Sequence, residues 1–169
     1  MNECATQQAA ERRGSFTGGR YLSFRLGGEE YGIAILKVRE IIGMVDVTPL
    51  PRTPDFVRGV INLRGKIIPV VDLRRRFEMQ PTPDTPETCI VVVDVGRDRD
   101  NPIQVGCLVD AVSEVIDVAP TQFEATPRCA NAMGEYLAGL GKLDDRVLIL
   151  LEIERVLGTL DPALVEQGS

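Results

Sequence analysis

The sequence contains no histidine among its 169 residues. This absence removes Ser-His and Cys-His nucleophile pairs, the commonest general base and the commonest metal ligand. The four cysteines (Cys4, Cys89, Cys107 and Cys129) are widely spaced and form no Cys-x-x-Cys pair, so no zinc site is expected. Carboxylate or lysine chemistry would need positive evidence, and we therefore expect no enzyme, no metal and no cofactor.

Long apolar runs and an excess of positive charge are also missing. No apolar stretch approaches the roughly 20 residues that span a bilayer, and the polar N-terminus has no signal-peptide core. The formal net charge is −6, which disfavours binding to phosphate backbones. We expect a cytoplasmic protein that neither inserts into a membrane nor binds nucleic acid. In a reducing cytosol, Cys89 and Cys107 are expected to be small buried hydrophobes.

What the chain does contain is a series of short apolar runs with the period of strands. Leu22, Phe24 and Leu26 alternate with polar residues, as in a half-buried strand. Further runs rich in β-branched residues follow at 57–63, 66–71, 89–95, 104–118, 136–143 and 146–151. Many short strands with glycine turns favour a mainly β barrel or sandwich. Residues 35–42 also fit helical spacing.

Proline and polar residues divide the chain. Residues 1–20 are expected to be a flexible N-terminal tail and 158–169 a C-terminal tail, and the folded domain is expected to span 21–157. Within it, the proline-rich segment 80–87 predicts an extended linker that crosses between a first barrel at 21–79 and a second at 88–157. Pro69 cannot donate a backbone hydrogen bond, so it is expected on an edge strand or at a bulge.

The two halves of the chain are related. Residues 31–42 match 105–116 with Gly32 and Gly106 74 positions apart, and residues 59–77 match 139–157 with a separation of 80. The six extra residues fall in the loop at 121–131. Each second block predicts a hairpin followed by a short helix that begins at an acidic residue. Two strand-rich repeats indicate two small barrels packed together.

Three motifs favour structural interpretations. Gly139-Leu140-Gly141-Lys142 lacks the glycine and hydroxyl spacing of a phosphate-binding loop. Arg74-Arg75-Arg76 is interpreted as a solvated face of a short helix. Asp144-Asp145 is interpreted as a polar hairpin turn.

Arg64 is more informative because it lies between two apolar runs, with Gly65 expected to supply a positive φ in a tight hairpin. The repeat aligns Arg64 with Asp144, so folding does not require arginine at this position of the turn. Two interpretations stay open: a charged residue that keeps a hairpin soluble, or a binding residue, since arginine is favoured at interface hot spots. Glu40 aligns with Glu114, which supports a structural role at least as well.

Several ordered motifs resemble the CheW domain over about residues 21–157. They are Tyr31-Gly32-Ile33, Val38-Arg39-Glu40-Ile41, Gly59 to Gly65, Pro69 to Arg74, Val109 to Val115, and Tyr136 to Gly141. The resemblance implies a mainly β fold of two five-stranded barrel subdomains that share a core, with short helices after the second hairpins. The domain also occurs in kinases and in receiver fusions, which need further domains, so a free-standing coupling protein is expected.

The resemblance further implies a non-enzymatic adaptor that couples methyl-accepting chemoreceptors to the chemotaxis histidine kinase in membrane-associated arrays. One groove lined from both barrels would take the hairpin tip of the receptor, at positions Val38, Glu40, Gly59, Arg64, Gly106, Val112, Val115 and Gly139. The second barrel would meet the regulatory domain of the kinase at Cys89 and Ile90. A further ring-forming contact on the kinase-binding side is expected near Glu124 and Cys129, although this loop departs from the family pattern, in which basic and aromatic residues are usual.

Two other functions stay open. One is a CheW-like adaptor in a pathway that controls pili or a second messenger, which co-purification with the native kinase and receptor would distinguish. The other is a carboxylate-dependent enzyme on a β-barrel, which a deep pocket with convergent acids would favour.

Overall fold

The computed structural model describes residues 18–80, 83–95, 103–125 and 136–157. The strands in these residues are β1 Gly19–Leu26, β2 Glu29–Ala34, β3 Val38–Gly43, β4 Val57–Leu63, β5 Lys66–Asp72, β6 Cys89–Val95, β7 Ile103–Val109, β8 Ala111–Val118, β9 Phe123–Glu124, β10 Leu137–Lys142 and β11 Val147–Leu151. Helices α1 (Leu73–Arg76) and α2 (Ile153–Val156) follow the second hairpins, and 3₁₀ turns occupy Ile35–Lys37 and Pro120–Gln122. The predicted mainly β class and both short helices are confirmed. No helix in these ranges is long and apolar enough to cross a membrane.

The strands form two sheets. The six-stranded sheet has the order β8-β1-β2-β11-β10-β9, and the five-stranded sheet has the order β3-β6-β7-β5-β4. Pairing is antiparallel except between β2 and β11 and between β5 and β7, which are parallel. Each sheet therefore contains one parallel pair, and the two pairs occupy equivalent places in the two repeats.

The two repeats exchange their first strands. Strands β1 and β2 pair with β8 and β11 from the second half of the chain, while β6 and β7 pair with β3 and β5 from the first. The sheets therefore do not coincide with the segments 21–79 and 88–157. As one consequence, β6, which begins at Cys89, lies in the five-stranded sheet beside β3.

In the described part of the chain, the predicted five-stranded barrels are two sheets of six and five strands whose ladders do not close. Among the described residues, the pairing of the five-stranded sheet ends at β3 and β4. The segment 44–56 between these strands bridges β4 only once, from Thr48 to Val60. It carries Pro49, Pro51 and Pro54, and a residue without a backbone N–H cannot continue a ladder.

The main hydrophobic core lies between the two sheets. It combines Leu22, Phe24 and Ile33 of one sheet with Val91 and Val93 of the other. Smaller clusters lie on the opposite face of each sheet. Apolar residues on both faces explain why β6 and β7 read as continuous apolar runs rather than as alternating ones.

The expected burial of the cysteines is confirmed for Cys107 and met only in part by Cys89. Cys107 is fully buried in the core, and burial raises the pKa of its thiol to about 12. Cys89 is half-buried. Cys4 and Cys129 lie outside the described residues.

Pro69 was expected on an edge strand or at a bulge, and this prediction was wrong. It lies in β5, an interior strand, opposite Val60 of β4. Val60 exchanges both of its backbone hydrogen bonds with Thr48, at 2.9 Å each, so Val60 and Pro69 form a non-hydrogen-bonded pair. The ladder from β5 to β7 begins only at Val70. The missing N–H of Pro69 therefore interrupts neither ladder.

Candidate functional site

The edge strand β3 exposes apolar side chains on the face that it turns toward the other sheet. Val38 pairs with Val93 and Ile41 pairs with Val91, and paired residues project on the same face of a sheet. Val91 and Val93 are fully buried in the shared core, whereas Ile41 is 44% exposed. The core therefore extends to solvent along β3.

The edge strand β8 repeats this arrangement in the six-stranded sheet. Val112 pairs with Phe24 and Val115 with Leu22, two buried residues of the same core. Val115 is 52% exposed. Val112 and Val115 lie 74 positions after Val38 and Ile41, so the repeat places the same residue pair at both edges. We call these four residues the edge groove, a candidate surface on the two edge strands that border the shared core.

Ile41 was missed by the sequence interpretation, although the repeat contained the signal that identifies it. Val115 was a candidate, and its counterpart 74 positions earlier is Ile41. Its neighbours Glu40 and Ile42 pair with Val92 and Ile90 and project on the opposite face of β3. Ile41 is therefore the residue of this stretch whose side chain completes the groove.

The β4–β5 hairpin places Arg64 as the sequence predicted. Gly65 has a positive φ of 85°, and Arg64 also has a positive φ, of 52°. The Asn62 side chain accepts a hydrogen bond from the Gly65 N–H at 2.9 Å. Two residues with positive φ are typical of a type I′ hairpin turn, which projects Arg64 into solvent.

Arg64 is ion-paired with Glu40. Its Nη2 donates to Glu40 Oε2 at 2.5 Å, and this hydrogen bond and the carboxylate charge raise the pKa of Arg64. Because β3 and β4 are the two edges of the five-stranded sheet, the pair joins those edges where the ladder does not. The second oxygen, Glu40 Oε1, is buried and accepts no hydrogen bond from the described residues.

The second repeat contains an equivalent ion pair. Arg146 donates to Glu114 Oε1 at 2.9 Å and to Glu30 Oε1 at 2.8 Å. Glu114 is the counterpart of Glu40, whereas Arg146 corresponds to Lys66 rather than to Arg64. Asp144 and Asp145 form the exposed turn that was predicted. Each repeat thus pairs its glutamate with an arginine near the same hairpin turn, which gives both glutamates a structural role.

Three glycines among the candidates are buried and shape the strands. A Cβ on Gly59 would lie 2.1 Å from the Thr48 carbonyl oxygen, and one on Gly139 would lie 2.4 Å from Phe123 Cε2. A Cβ on Gly106 would lie 2.7 Å from Ile90 Cγ2. These positions allow close approach of neighbouring segments and support the surface from beneath.

We expect Gly59→Ala to destabilise the protein by about 1–3 kcal/mol, because Gly59 has a φ of 145° and no space for a Cβ. Chemical denaturation measures the loss. Gly43→Ala on β3 is the matched control, since a Cβ there meets nothing within 4 Å. Equal stability of the two variants would contradict this assignment.

The interpretation of Arg74-Arg75-Arg76 as a solvated face was wrong for Arg74, which is 2% exposed. Its guanidinium donates to Asp72 Oδ1 and to Asp110 Oδ1, at 3.1 Å each, and approaches Asp84 at 3.5 Å. Burial acts to lower the pKa of Arg74, but the hydrogen bonds and charges of these aspartates leave it raised. Arg75 remains exposed. The repeat could not reveal this, because Arg74 aligns with Glu154.

The residues proposed for the kinase face differ in burial and in the side chains that they contact. Ile90 is fully buried, so it can act on a partner only through the residues that cover it. Burial raises the pKa of the Cys89 thiol, opposed by a hydrogen bond from the backbone of Val112. Cys89 thus lies beside the edge groove. Glu124 on β9 is ion-paired with Lys142, and Cys129 lies outside the described residues.

An open cavity of about 760 Å³ lies between the β1–β2 turn and a wall that includes Met79, Pro83 and Thr88. Its two carboxylates, Glu87 and Asp110, are ion-paired with Arg25 and Arg74 respectively. No group of Cys, Asp and Glu side chains in the described ranges is arranged to hold a metal ion. These acids therefore do not form the convergent pair that would favour an enzyme.

Comparisons with known proteins agree on one family. The family model of the CheW-like domain matches residues 20–161. Chemotaxis protein CheW of Klebsiella aerogenes is 44% identical over 154 residues, which cover 90% of each chain. Chemotaxis protein CheW of Rhizobium meliloti is 38% identical and covers 82% of this chain and 88% of its own. The crystal structure of the scaffolding protein TtCheW from Thermoanaerobacter tengcongensis is similar to this one, with a TM-score of 0.72 and 34% sequence identity. The matched region covers 80% of this chain and 90% of that one.

Proposed function

Because the chain belongs to the CheW family, we propose that it is a non-enzymatic scaffold that couples methyl-accepting chemoreceptors to the chemotaxis histidine kinase. It works in the cytoplasm and is recruited to membrane-associated receptor arrays. Relatives named chemotaxis protein CheW and a solved scaffolding protein support this role. The receptor contributes the hairpin tip of its cytoplasmic helical bundle.

The exposed apolar side chains of the edge groove are the observation that supports the proposal. Ile41 and Val115 expose apolar surface at the open ends of the shared core, and a helical hairpin binds to a groove through an apolar stripe. Arg64 lies at the β4–β5 turn and is paired with Glu40 on the face of β3 opposite to Ile41. Its exposed guanidinium offers donors to carbonyl or carboxylate oxygens of a partner that reaches over the β3 edge. Glu40, Gly59, Gly106 and Gly139 act indirectly in this proposal, by holding Arg64 and the strands in place.

The kinase regulatory domain occupies a second surface. We place it at the β9 side of the six-stranded sheet around Glu124 and at the start of β6 near Cys89. Cys89 lies beside Val112, so binding of the kinase there would be coupled to binding of the receptor. Contacts with further copies of the chain would use the loop after Glu124.

A binding experiment with three purified components tests the function. The full chain is mixed with a receptor hairpin fragment, with the kinase regulatory domain, and with both, and the complexes are measured by calorimetry and by co-elution. We expect each binary complex and a ternary complex. Receptor binding without kinase binding, or the reverse, would refute a coupling role.

Ile41 provides a test of the groove. We expect Ile41→Gln to weaken receptor binding about five- to tenfold, because it replaces an apolar anchor with a polar side chain that must be desolvated. Val147→Gln is the control, since Val147 is similarly exposed at 51% but lies on β11. Equal receptor affinities of the two variants would remove Ile41 from the interface.

A further inference from the structure

Each wall of the edge groove begins directly after an ion-paired residue. Lys37 precedes β3, and its Nζ donates to Glu154 Oε1 of α2 at 2.7 Å. Asp110 precedes β8 and accepts from Arg74 Nη1 of α1 at 3.1 Å. In both cases the segment that crosses from one sheet to the other is tied to the short helix that follows the neighbouring parallel strand.

We call the ion pairs Lys37–Glu154 and Arg74–Asp110 the two clasps. The repeat relates them, but the charges of the helix residue and the crossover residue are exchanged. Glu154 is the counterpart of Arg74, and Asp110 aligns with Leu36, the residue before Lys37. The helix supplies the cation in one clasp and the anion in the other. Both crossovers therefore have an attractive ion pair with a helix, although the positive and negative charges have changed places. This is expected if each crossover must be held in place.

The clasps differ more in burial. The Arg74 side chain is 3% exposed, and Asp110 also accepts the Gly27 N–H at 2.9 Å. Lys37 and Glu154 are 41% and 43% exposed, and neither side chain has a further ion pair among the described residues. Salt screens exposed pairs strongly and buried ones weakly. The crossover before β8 is therefore tied firmly to its helix, whereas the crossover before β3 is tied to its helix by a contact that solvent can replace. Beyond that contact, β3 keeps its ladder to β6 and the pairs Arg39–Asp94 and Arg64–Glu40.

We propose that Lys37 and Glu154 are positioning residues that form an adjustable clasp for the β3 wall of the edge groove, while Arg74 and Asp110 fix the β8 wall. A partner that enters the groove then selects the position of Val38 and Ile41 by shifting β3 against a stationary β8. The consequence for binding rests on the proposed receptor function, whereas the difference in mobility between the walls does not.

Hydrogen exchange followed by mass spectrometry tests the mobility of the free full-length chain. We expect Lys37→Glu and Glu154→Lys each to increase amide exchange at 35–41 about three- to fivefold, with no change at 111–115. The exchanged double variant should restore the wild-type rates. Salt of about 1 M, where the Debye length is about 3 Å, should reproduce the effect in the wild type. Arg20→Glu, which breaks the exposed pair with Asp117, is the control and should leave 35–41 unchanged.

Receptor affinity gives the second measurement. We expect two- to fivefold weaker binding of a receptor hairpin fragment by each single variant and recovery in the double variant, with an unchanged melting temperature. Unchanged exchange at 35–41, or equal loosening of 111–115, would overturn the adjustable clasp. Altered exchange with unchanged receptor affinity would overturn the positioning role. Absence of receptor binding by the wild-type chain would refute the proposed function, and the exchange result would still decide the clasp.

Discussion

Arg74→Met is expected to lower the free energy of unfolding by about 3–5 kcal/mol, the loss typical when one partner of a buried ion pair is removed. The substitution keeps the length and apolar character of the stem but leaves Asp72 and Asp110 facing the vacated site. Asp72 is 3% exposed and cannot regain its hydration. Urea denaturation monitored by circular dichroism gives the value.

Two further variants make this result interpretable. Arg75→Met is the matched control, because the Arg75 side chain is 53% exposed and its Nε lies as far as 4.0 Å from Asp72 Oδ2. The free energy of unfolding of this variant should stay within about 0.5 kcal/mol of the wild-type value. Adding Asp110→Asn to Arg74→Met should recover part of the loss, because one of the stranded charges is then removed. A loss below 1 kcal/mol for Arg74→Met would mean that water solvates the aspartates and that the network contributes little.

The burial of Arg74 shows what a single sequence does not contain. Three consecutive arginines on a short amphipathic segment are typical of a solvated face. The three aspartates that pair with Arg74 lie at 72, 84 and 110, and only the first is near in sequence. Their convergence depends on the linker and on the crossover from β7 to β8. Local charge patterns carry no information about that crossing.

Strand exchange between the repeats was hidden for a related reason. Alternation identified the strand at 21–26, and apolar runs rich in β-branched residues marked 89–95 and 104–118, the second of which contains both β7 and β8. The repeat showed that the two halves are alike. It could not show which copy of β5 or β11 each parallel strand joins, because equivalent strands present equivalent edges. Tertiary packing makes that choice.

The candidate groove was predicted in part. The family resemblance identified Val38, Val112 and Val115, and the structure places them on one face of the two edge strands. It also named Glu40 and Arg64 as separate candidates, and the structure shows that their side chains are ion-paired. It also included Gly106 and Ile90, which are buried. A family resemblance indicates which positions matter, but it does not show which of them can contact a partner and which only support the surface. The burial of each side chain in the structure makes that distinction.

The ion pairs between sheet edges explain how an arginine can serve both folding and binding. Glu40 with Arg64 and Glu114 with Arg146 both connect an edge strand to a hairpin turn across a gap without a ladder. Arg146 is held by three carboxylates. Arg64 is paired with Glu40 and is 71% exposed on its side chain. Of the two arginines, Arg64 can therefore more readily direct its remaining donors toward a partner.

Arg64→Asp is expected to weaken receptor binding by well over tenfold while leaving the fold intact. Arginine donors at an interface rim pair with carbonyl or carboxylate oxygens, and reversing the charge places like charges together in a partly desolvated contact. Aspartate tolerates the positive φ of this position, and the second repeat already carries Asp144 there. We therefore expect the melting temperature to change by no more than about 3 °C.

A charge exchange separates the loss of the Glu40 pair from the loss of the partner contact. In Arg64→Glu combined with Glu40→Arg, the intramolecular pair can form again, so stability should return to the wild-type value. Receptor affinity should stay low, because the exposed end of the pair is now negative. Recovery of affinity would show that Arg64 acts only by holding Glu40. Kinase affinity is measured on the same variants; if the two surfaces are separate it should be unchanged, whereas a parallel loss would place Arg64 in both contacts. Unaltered receptor affinity in Arg64→Asp would reduce Arg64 to a residue that keeps the hairpin soluble.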